Sequence, residues 1–498
     1  MRVTARRAGC RLLPVPLLGS RSVLAYANPE EPASTQAEAG IGKSCLGELL
    51  AVVLVRIMVN HERELLDKIA CQSIRAGVIG LGYVGLPLAL TLVERGRVRV
   101  TGFDVDEAKV DALRRGSSYI RHLGPERVAG AVESRLFSAT CDFDQLSVPD
   151  VLIIAVPTPL TPQREPDMRY IIGTAEAIRQ RMRPGQLVIL ESTTYPGTTD
   201  ELLKPLLESS GLKCGKDFLL AFSPEREDPG NRHFSTATIP KIVGGVDGAS
   251  TGVACAFYRL ALEQVVSVRS ARVAEATKLT ENVFRAVNIA LVNELKVLYD
   301  RMNIDAREVL EAAATKPFGF MKFDPGPGLG GHCIPLDPFY LTWKAREFGL
   351  STRFIELAGE INVSMPHYVM DKLQTALNDR NKPIRGSKVL VLGLAYKRDI
   401  DDTRESPSFA LIELLLQKGA LVSYHDPLIP VAPRVRSWPG LPPMASVNLD
   451  EDIVRSMDAV LIATDHSAVD YAMLARSAQL IVDTRGVYRE ARANLVKA

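Results

Sequence analysis

Apolar and polar positions follow a repeating order along most of this chain. A short apolar run comes first, then a polar or glycine turn, then a longer stretch with helical spacing. The runs at 76–80, 98–103, 150–156, 186–190 and 217–222 are short and rich in Val, Ile and Leu, and they predict buried strands. A helix is predicted over 86–93. No proline or glycine occurs from Ser270 to Met302, where Ala271, Ala274, Leu279, Val283, Ala286, Ala290, Leu291 and Leu295 recur at roughly helical spacing. A helix of about 30 residues spans ~45 Å, enough to join two domains or form a dimer spine. A second strand–helix series follows, with strands at 388–392, 421–424, 459–463 and 480–482 and a helix over 408–418 closed by Gly419. Residues 430–443 are proline-rich and read as a surface loop. The expected class is α/β: two Rossmann-like doubly wound domains joined by a long central helix. The boundaries fall at 71–265, 266–370 and 371–498.

Composition agrees with that picture and narrows it. A length of 498 residues exceeds what one core usually fills. Lys plus Arg is 60 against 58 for Asp plus Glu, a formal charge of +2, which disfavours a nucleic-acid binder with a broad basic face. Seven cysteines are odd in number and too sparse for a disulfide framework.

Residues 1–70 read differently and are left unassigned. Arg2, Arg6, Arg7, Arg11 and Arg21 precede the first acid, Glu30, as in a transit peptide or the charged start of a secretory signal. Pro14 and Pro16 interrupt the apolar patch 12–18, and the run 49–55 is far short of the ~20 apolar residues of a spanning helix. The favoured reading starts the chain at Met58, with a polar helix over 60–70 leading into the first strand. It implies a cytoplasmic protein with no membrane insertion, and it assigns the slight positive charge to the segment before Met58.

The candidate chemistry lies after strands. Gly80-Leu-Gly-Tyr83-Val84-Gly85 is a G-x-G-x-x-G turn between strand and helix. Gly80 permits the tight turn, Gly82 the approach of a pyrophosphate, and Gly85 close helix packing. A glycine turn alone can bind nothing. Here the next strand ends in Asp104, placed to accept from a ribose 2′-OH and repel a 2′-phosphate, which favours NAD. Asp106 and Glu107 add to that repulsion, and Lys109 opposes it. Pro157-Thr158, Glu191-Ser-Thr193 and Ser223-Pro-Glu225 also follow strand ends, where open parallel sheets bind ligands.

Lys278 and Asn282 share one face of the long helix, a spacing that alone would be an ordinary solvated stripe. Gly326, Gly328, Gly330 and Gly331 crowd a segment that cannot be regular helix or strand. Cys333 follows at the expected start of a helix containing 339–344, where its pKa would be lowered. Cys10, Cys45, Cys71, Cys141, Cys214 and Cys255 lack such surroundings. No metal site is expected, because only His332 adjoins Cys333.

These segments together resemble the nucleotide-sugar 6-dehydrogenase family, which includes UDP-glucose and GDP-mannose dehydrogenases. The carriers are the glycine turn, Ser192-Thr193, Ser223-Pro-Glu225, Lys278 with Asn282, Gly330-Gly-His-Cys333 to Asp337, and Gly393-Leu-Ala-Tyr-Lys397 to Asp402-Thr-Arg-Glu-Ser-Pro407. Residues 325–346 are most similar to the branch acting on UDP-N-acetylhexosamines, in particular its UDP-N-acetylglucosamine members.

The resemblance implies an NAD domain, a dimerising central helix in a homodimer or higher oligomer, and a UDP-binding domain. It also implies oxidation of C6 of UDP-N-acetyl-D-glucosamine to the acid with two NAD. UDP-N-acetyl-D-mannosamine and UDP-glucose are alternative substrates. A silent NAD- and UDP-sugar-binding regulator is the alternative of another class, disfavoured by the intact Cys333, Lys278 and Asp337.

By the same resemblance, NAD is held by Gly80, Gly82, Tyr83, Val84, Gly85, Asp104, Lys109, Pro157, Thr158, Thr193 and Arg404. Substrate is held by Glu225, Lys278, Asn282, Phe323, Gly331 and Lys397. Cys333 is the nucleophile, and Lys278 and Asn282 stabilise the oxyanion. Either Lys278 or an Asp337-bound water is the first base. Glu225 is the base for hydrolysis, and Thr193 positions water or nicotinamide. One departure is Pro229, which stands where the UDP-glucose branch has a second glutamate.

Overall fold

Strands, most of them buried on both faces, build two separate sheets in the computed structural model, which describes residues 61–120, 123–161, 163–227, 234–331, 334–435 and 437–498. The first sheet contains β1 (Arg75–Ile79), β2 (Arg99–Phe103), β3 (Phe137–Thr140), β4 (Val151–Ile154), β5 (Gln186–Leu190), β6 (Phe218–Phe222), β7 (Lys241–Gly245) and β8 (Val265–Ser267). Their order is β3-β2-β1-β4-β5-β6-β7-β8, and every pair is parallel except β6 with β7. The first six follow the dinucleotide-binding order, which reverses between β1 and β4. Burial explains the continuous apolar runs. In β4 and β5, Val151, Ile153, Leu187 and Ile189 enter one core layer, while Leu152, Ile154, Val188 and Leu190 enter the other.

The second sheet holds β9 (Lys388–Leu392), β10 (Leu421–His425), β11 (Ala459–Ile462), β12 (Ile481–Asp483) and β13 (Leu495–Lys497). It is wholly parallel, in the order β10-β9-β11-β12-β13, the other common doubly wound arrangement.

A helix from Ala271 to Arg301 joins the two halves, as its proline- and glycine-free sequence predicts. The Ser270 side chain caps it by accepting from Val273 N–H. It packs against a second long helix, Arg353–Asn378, which sequence reasoning did not foresee. Asn293 Nδ2 donates to Asn362 Oδ1 at 2.9 Å across that contact, and Asn362 Nδ2 donates to Ala286 O at 3.1 Å.

The helix His61–Ala70 buries Leu65 and Ile69 and leads into β1, in keeping with the polar helix expected over 60–70. The proposed start at Met58 lies outside the described residues. One local expectation is corrected. The helix containing 339–344 begins at Asp337, not at 333, with Pro338 in its first turn. A helix N-terminus therefore gives no reason for a lowered Cys333 pKa, and Cys333 itself lies outside the described residues. Among the described residues no helix is long and apolar enough to cross a membrane.

Candidate active site

The glycine turn closes over the end of β1. Gly80 has φ +93°, and a Cβ there would stand 2.5 Å from Ala155 O. At Gly85 a Cβ would meet Gly80 O at 1.9 Å, so the helix Gly85–Glu94 approaches the turn only without a side chain. Gly82 is the opposite case: nothing lies within 4 Å of its Cβ position. That open face, at the start of a helix without a side-chain cap, fits a pyrophosphate.

Asp104 is buried beside the turn. Its Oδ2 accepts from Leu81 N–H at 2.9 Å and its Oδ1 from Asp106 N–H at 3.0 Å, while Lys109 Nζ stands 3.7 Å from Oδ2. The carboxylate thus holds the glycine turn, and Asp104 lines the cavity beside it. Asp104→Ala is expected to narrow the preference for NAD over NADP and to raise KM for both. Initial rates with each cofactor check this, and an unchanged NAD/NADP ratio contradicts a ribose contact.

One cavity of about 1770 Å³ runs from this turn to the second domain. Its walls include Gly80, Gly82, Tyr83, Val84, Asp104, Lys109, Pro157, Thr158 and Thr193 from the cofactor set, and Glu225, Lys278, Phe323, Gly331 and Lys397 from the substrate set. Arg404 lines it as well, with its guanidinium 4.4 Å from the centre of the Tyr83 ring. Asp402 grips that guanidinium, with Nη2 to Oδ2 at 2.6 Å.

Three connections shape the walls. Ser192 Oγ donates to Val156 O at 2.7 Å, joining the ends of β5 and β4. Glu275, fully buried on the long helix, accepts from Gly197 N–H, Thr199 N–H and Thr199 Oγ1 at 2.6–2.9 Å and so holds the segment after Thr193. Tyr340 OH donates to Thr158 O at 2.8 Å.

The glycines before Cys333 have a specific cause. Gly331 N–H donates to Arg404 O at 2.9 Å. A Cβ at Gly330 would come within 2.4 Å of Tyr396 Cβ. This loop therefore lies directly on the second domain. Gly331 and Ile334, either side of residues 332–333, both line the cavity.

The polar helix face is buried rather than solvated. Lys278 is 5 % exposed, and its Nζ donates to the backbone oxygen of Glu225. Asn282, one turn on, is fully buried. Its Nδ2 donates to Asp337 Oδ2, and its Oδ1 accepts from Arg285. Lys278, Glu225 and Thr193 reach the cavity wall. Asn282 and Asp337 do not line it; they pair behind it and fasten the helix after the cysteine loop to the long helix.

Lys241 carries no signal in the sequence, whereas Glu191 opens one of the polar segments that follow strand ends. Lys241 Nζ lies 2.9 Å from Glu191 Oε2 and 3.6 Å from Glu225 Oε2, and both carboxylate residues line the cavity. Burial pushes the Lys241 ammonium down, and the two carboxylates more than reverse it, leaving it above the usual lysine value. Glu227 lines the cavity too. Burial and then the neighbouring Glu225 carry its carboxyl up to about 7. Elsewhere burial raises Cys255 and takes Cys214 to about 12, consistent with passive thiols.

Three family models match the chain in order. They are the NAD binding domain of the UDP-glucose/GDP-mannose dehydrogenase family at 74–262, its central domain at 272–364 and its UDP binding domain at 390–490. The chain belongs to the UDP-glucose/GDP-mannose dehydrogenase family. Its fold, its NAD cofactor and its oxidoreductase class follow. It is 33 % identical to UDP-N-acetyl-D-glucosamine 6-dehydrogenase of Pseudomonas aeruginosa, over 85 % of this chain and 99 % of that protein. It is also 33 % identical to UDP-N-acetyl-D-mannosamine dehydrogenase of Pyrococcus horikoshii, over 84 % and 96 %. The solved structure of the UDP-N-acetyl-mannosamine enzyme from P. horikoshii matches with a TM-score of 0.77 at 32 % identity, covering 85 % of this chain and 98 % of that one. The dehydrogenase cavity is thus formed by both sheets and the long helix between them.

Proposed function

We propose that this dehydrogenase oxidises the C6 alcohol of UDP-N-acetyl-D-glucosamine to the carboxylate in two steps, without releasing the aldehyde. One observation carries the reading: a single cavity is lined by the glycine turn, Thr193, Glu225, Lys278 and Lys397 together. NAD bound at Gly80–Gly85, Asp104 and Arg404 supplies hydride acceptance, once in each oxidation.

The chain's own groups do the rest. As the C6 hydroxyl loses its proton, either Lys278 takes it as the neutral amine, or a water held at Asp337 takes it while the Lys278 ammonium stabilises the oxyanion. Asn282 and Asp337 act as a buried pair that fixes Lys278's helix to the cysteine loop. The Cys333 thiolate adds to the aldehyde carbon, giving a thiohemiacetal. Loss of its C–H hydride leaves a thioester. Water then adds to the thioester carbonyl, Glu225 takes its proton, and the thiolate departs as the acid forms. Thr193 positions the water or the nicotinamide, while Lys397, Phe323 and Gly331 hold the UDP-sugar.

The N-acetylglucosamine assignment rests on the similarity of residues 325–346 to that branch and on Pro229 in place of a second glutamate. The equal identity to a named N-acetylmannosamine enzyme supports the second reading, the same chemistry on that epimer. A panel of UDP-sugars with NAD, scored as NADH formed per sugar consumed, tests both. The expected result is two NADH per sugar, fastest with UDP-N-acetyl-D-glucosamine. A faster rate with the mannosamine epimer overturns the substrate, and one NADH per sugar overturns the reaction.

A further inference from the structure

Lys241 begins β7 and is 5 % exposed. A buried ammonium is costly unless paired, and Glu191 alone would pair it. Glu191 is itself fully engaged, because its Oε1 accepts from Tyr258 OH while its Oε2 accepts from Lys241. The Tyr258 ring lies 5.4 Å from the ammonium. A purely structural ion pair would end there.

A second carboxylate nevertheless faces the same ammonium. Glu225 Oε1 is occupied by two backbone donors, Arg226 N–H at 2.6 Å and Glu227 N–H at 2.5 Å. Its Oε2 is buried and has no hydrogen-bond donor among the described residues. At 3.6 Å Lys241 is too far to take up that lone pair, yet close enough for charge attraction. A vacant lone pair lets Oε2 accept a proton from water, and the fixed positive neighbour holds the carboxylate in place to do so.

We infer that Lys241, anchored by Glu191, is a positioning residue of the second oxidation: it holds the Glu225 carboxylate so that Oε2 accepts the proton of the hydrolytic water. This rests on the reading of Glu225 as the hydrolytic base. The other charged or titratable groups around the pair are Glu227, held by Thr236 Oγ1 at 2.8 Å, Arg226, bound to Glu281 and Pro240 O, Lys278, which reaches the backbone oxygen of Glu225, and Tyr258. Two of the surrounding groups, Glu191 and Glu227, are carboxyls that oppose a charge on Glu225, and Lys241 offsets them.

The test uses full-length Lys241→Met, Lys241→Arg and the double variant Glu191→Gln with Lys241→Met, which removes both buried charges where the single change fails to fold. Quenched single turnovers with NAD and UDP-N-acetyl-D-glucosamine follow NADH and the covalent acyl-enzyme by intact mass, across pH. In both Met variants the acyl-enzyme is expected to accumulate, with hydrolysis slowed about tenfold or more; in the single variant, which loses only the positive charge, the acid limb of hydrolysis also moves up, and Arg restores both. Hydrolysis at the wild-type rate in the double variant overturns the inference. Glu225→Gln separates the two claims. If it hydrolyses the thioester normally, Glu225 is not the base. If it stalls while the Lys241 variants behave as wild type, only the role of Lys241 fails.

Discussion

Replacing Cys333 by serine is expected to lower net acid formation by about three orders of magnitude or more, while NAD and UDP-sugar bind within about twofold of wild type. The reason is the order of bond changes. An aldehyde carbon yields an acyl product by hydride loss only after a nucleophile has added to it. A thiol near neutral pH supplies thiolate for that addition, whereas a serine hydroxyl needs a strong base beside it. The first oxidation needs no thiol, so about one NADH per site should still form in a single turnover. Rapid-mixing absorbance for NADH and mass analysis of the sugar product check this. Full turnover with two NADH per sugar contradicts the covalent route.

Lys278→Met should have the next largest effect, lowering kcat by about 10² to 10³ with a much smaller change in KM. Lys278 is a buried cation at the cavity wall, held toward Glu225 by its bond to that backbone oxygen. Removing a donor aimed at developing negative charge costs the transition state more than the ground state. Methionine keeps the length and apolar stem of the side chain, so the helix packing survives. Steady-state kinetics with a deuterium label at C6 check the assignment. An unchanged kcat, or a loss confined to KM, contradicts an oxyanion role.

The sequence carried the scaffold well where local signals and burial agree. The turn Gly80–Gly85 is legible because backbone sterics demand glycine there, as at Gly80, with its φ of +93°, and at Gly85 against Gly80 O. The strand Gln186–Leu190 and the helix Ala271–Arg301 match because nothing in them opposes their period. The helix Arg353–Asn378 escaped notice because Pro366 lies inside it and reads locally as a breaker. Packing on the long helix overrides that signal, and Gly359 is accommodated where a Cβ would meet the Phe339 ring at 2.8 Å.

The site divided the same way. Thr193, Glu225, Lys278 and Lys397 carry recognisable local motifs, and all four reach the cavity. Lys241 carries none, and the Glu191 segment gives no sign of its partner. Lys241 begins one strand and Glu191 follows the end of another, their pairing exists only after the sheet forms, and the run Lys241–Gly245 begins with a charge and ends in two glycines. Asn282 was chosen for its spacing from Lys278, but the fold spends its side chain on Asp337 and Arg285. The expected helix start at Cys333 failed because Pro338, tolerated in a first helical turn, sets the start at Asp337.

The second oxidation is the step that passes through a covalent bond to Cys333. Its most direct measurement is peptide-level mass spectrometry on Glu225→Gln enzyme quenched after mixing with NAD and UDP-N-acetyl-D-glucosamine. A uronyl thioester is expected on the peptide containing Cys333, formed with two NADH per site and cleaved by hydroxylamine. Two NADH per site with an unmodified Cys333 peptide at every quench time, and free acid in solution, would contradict it.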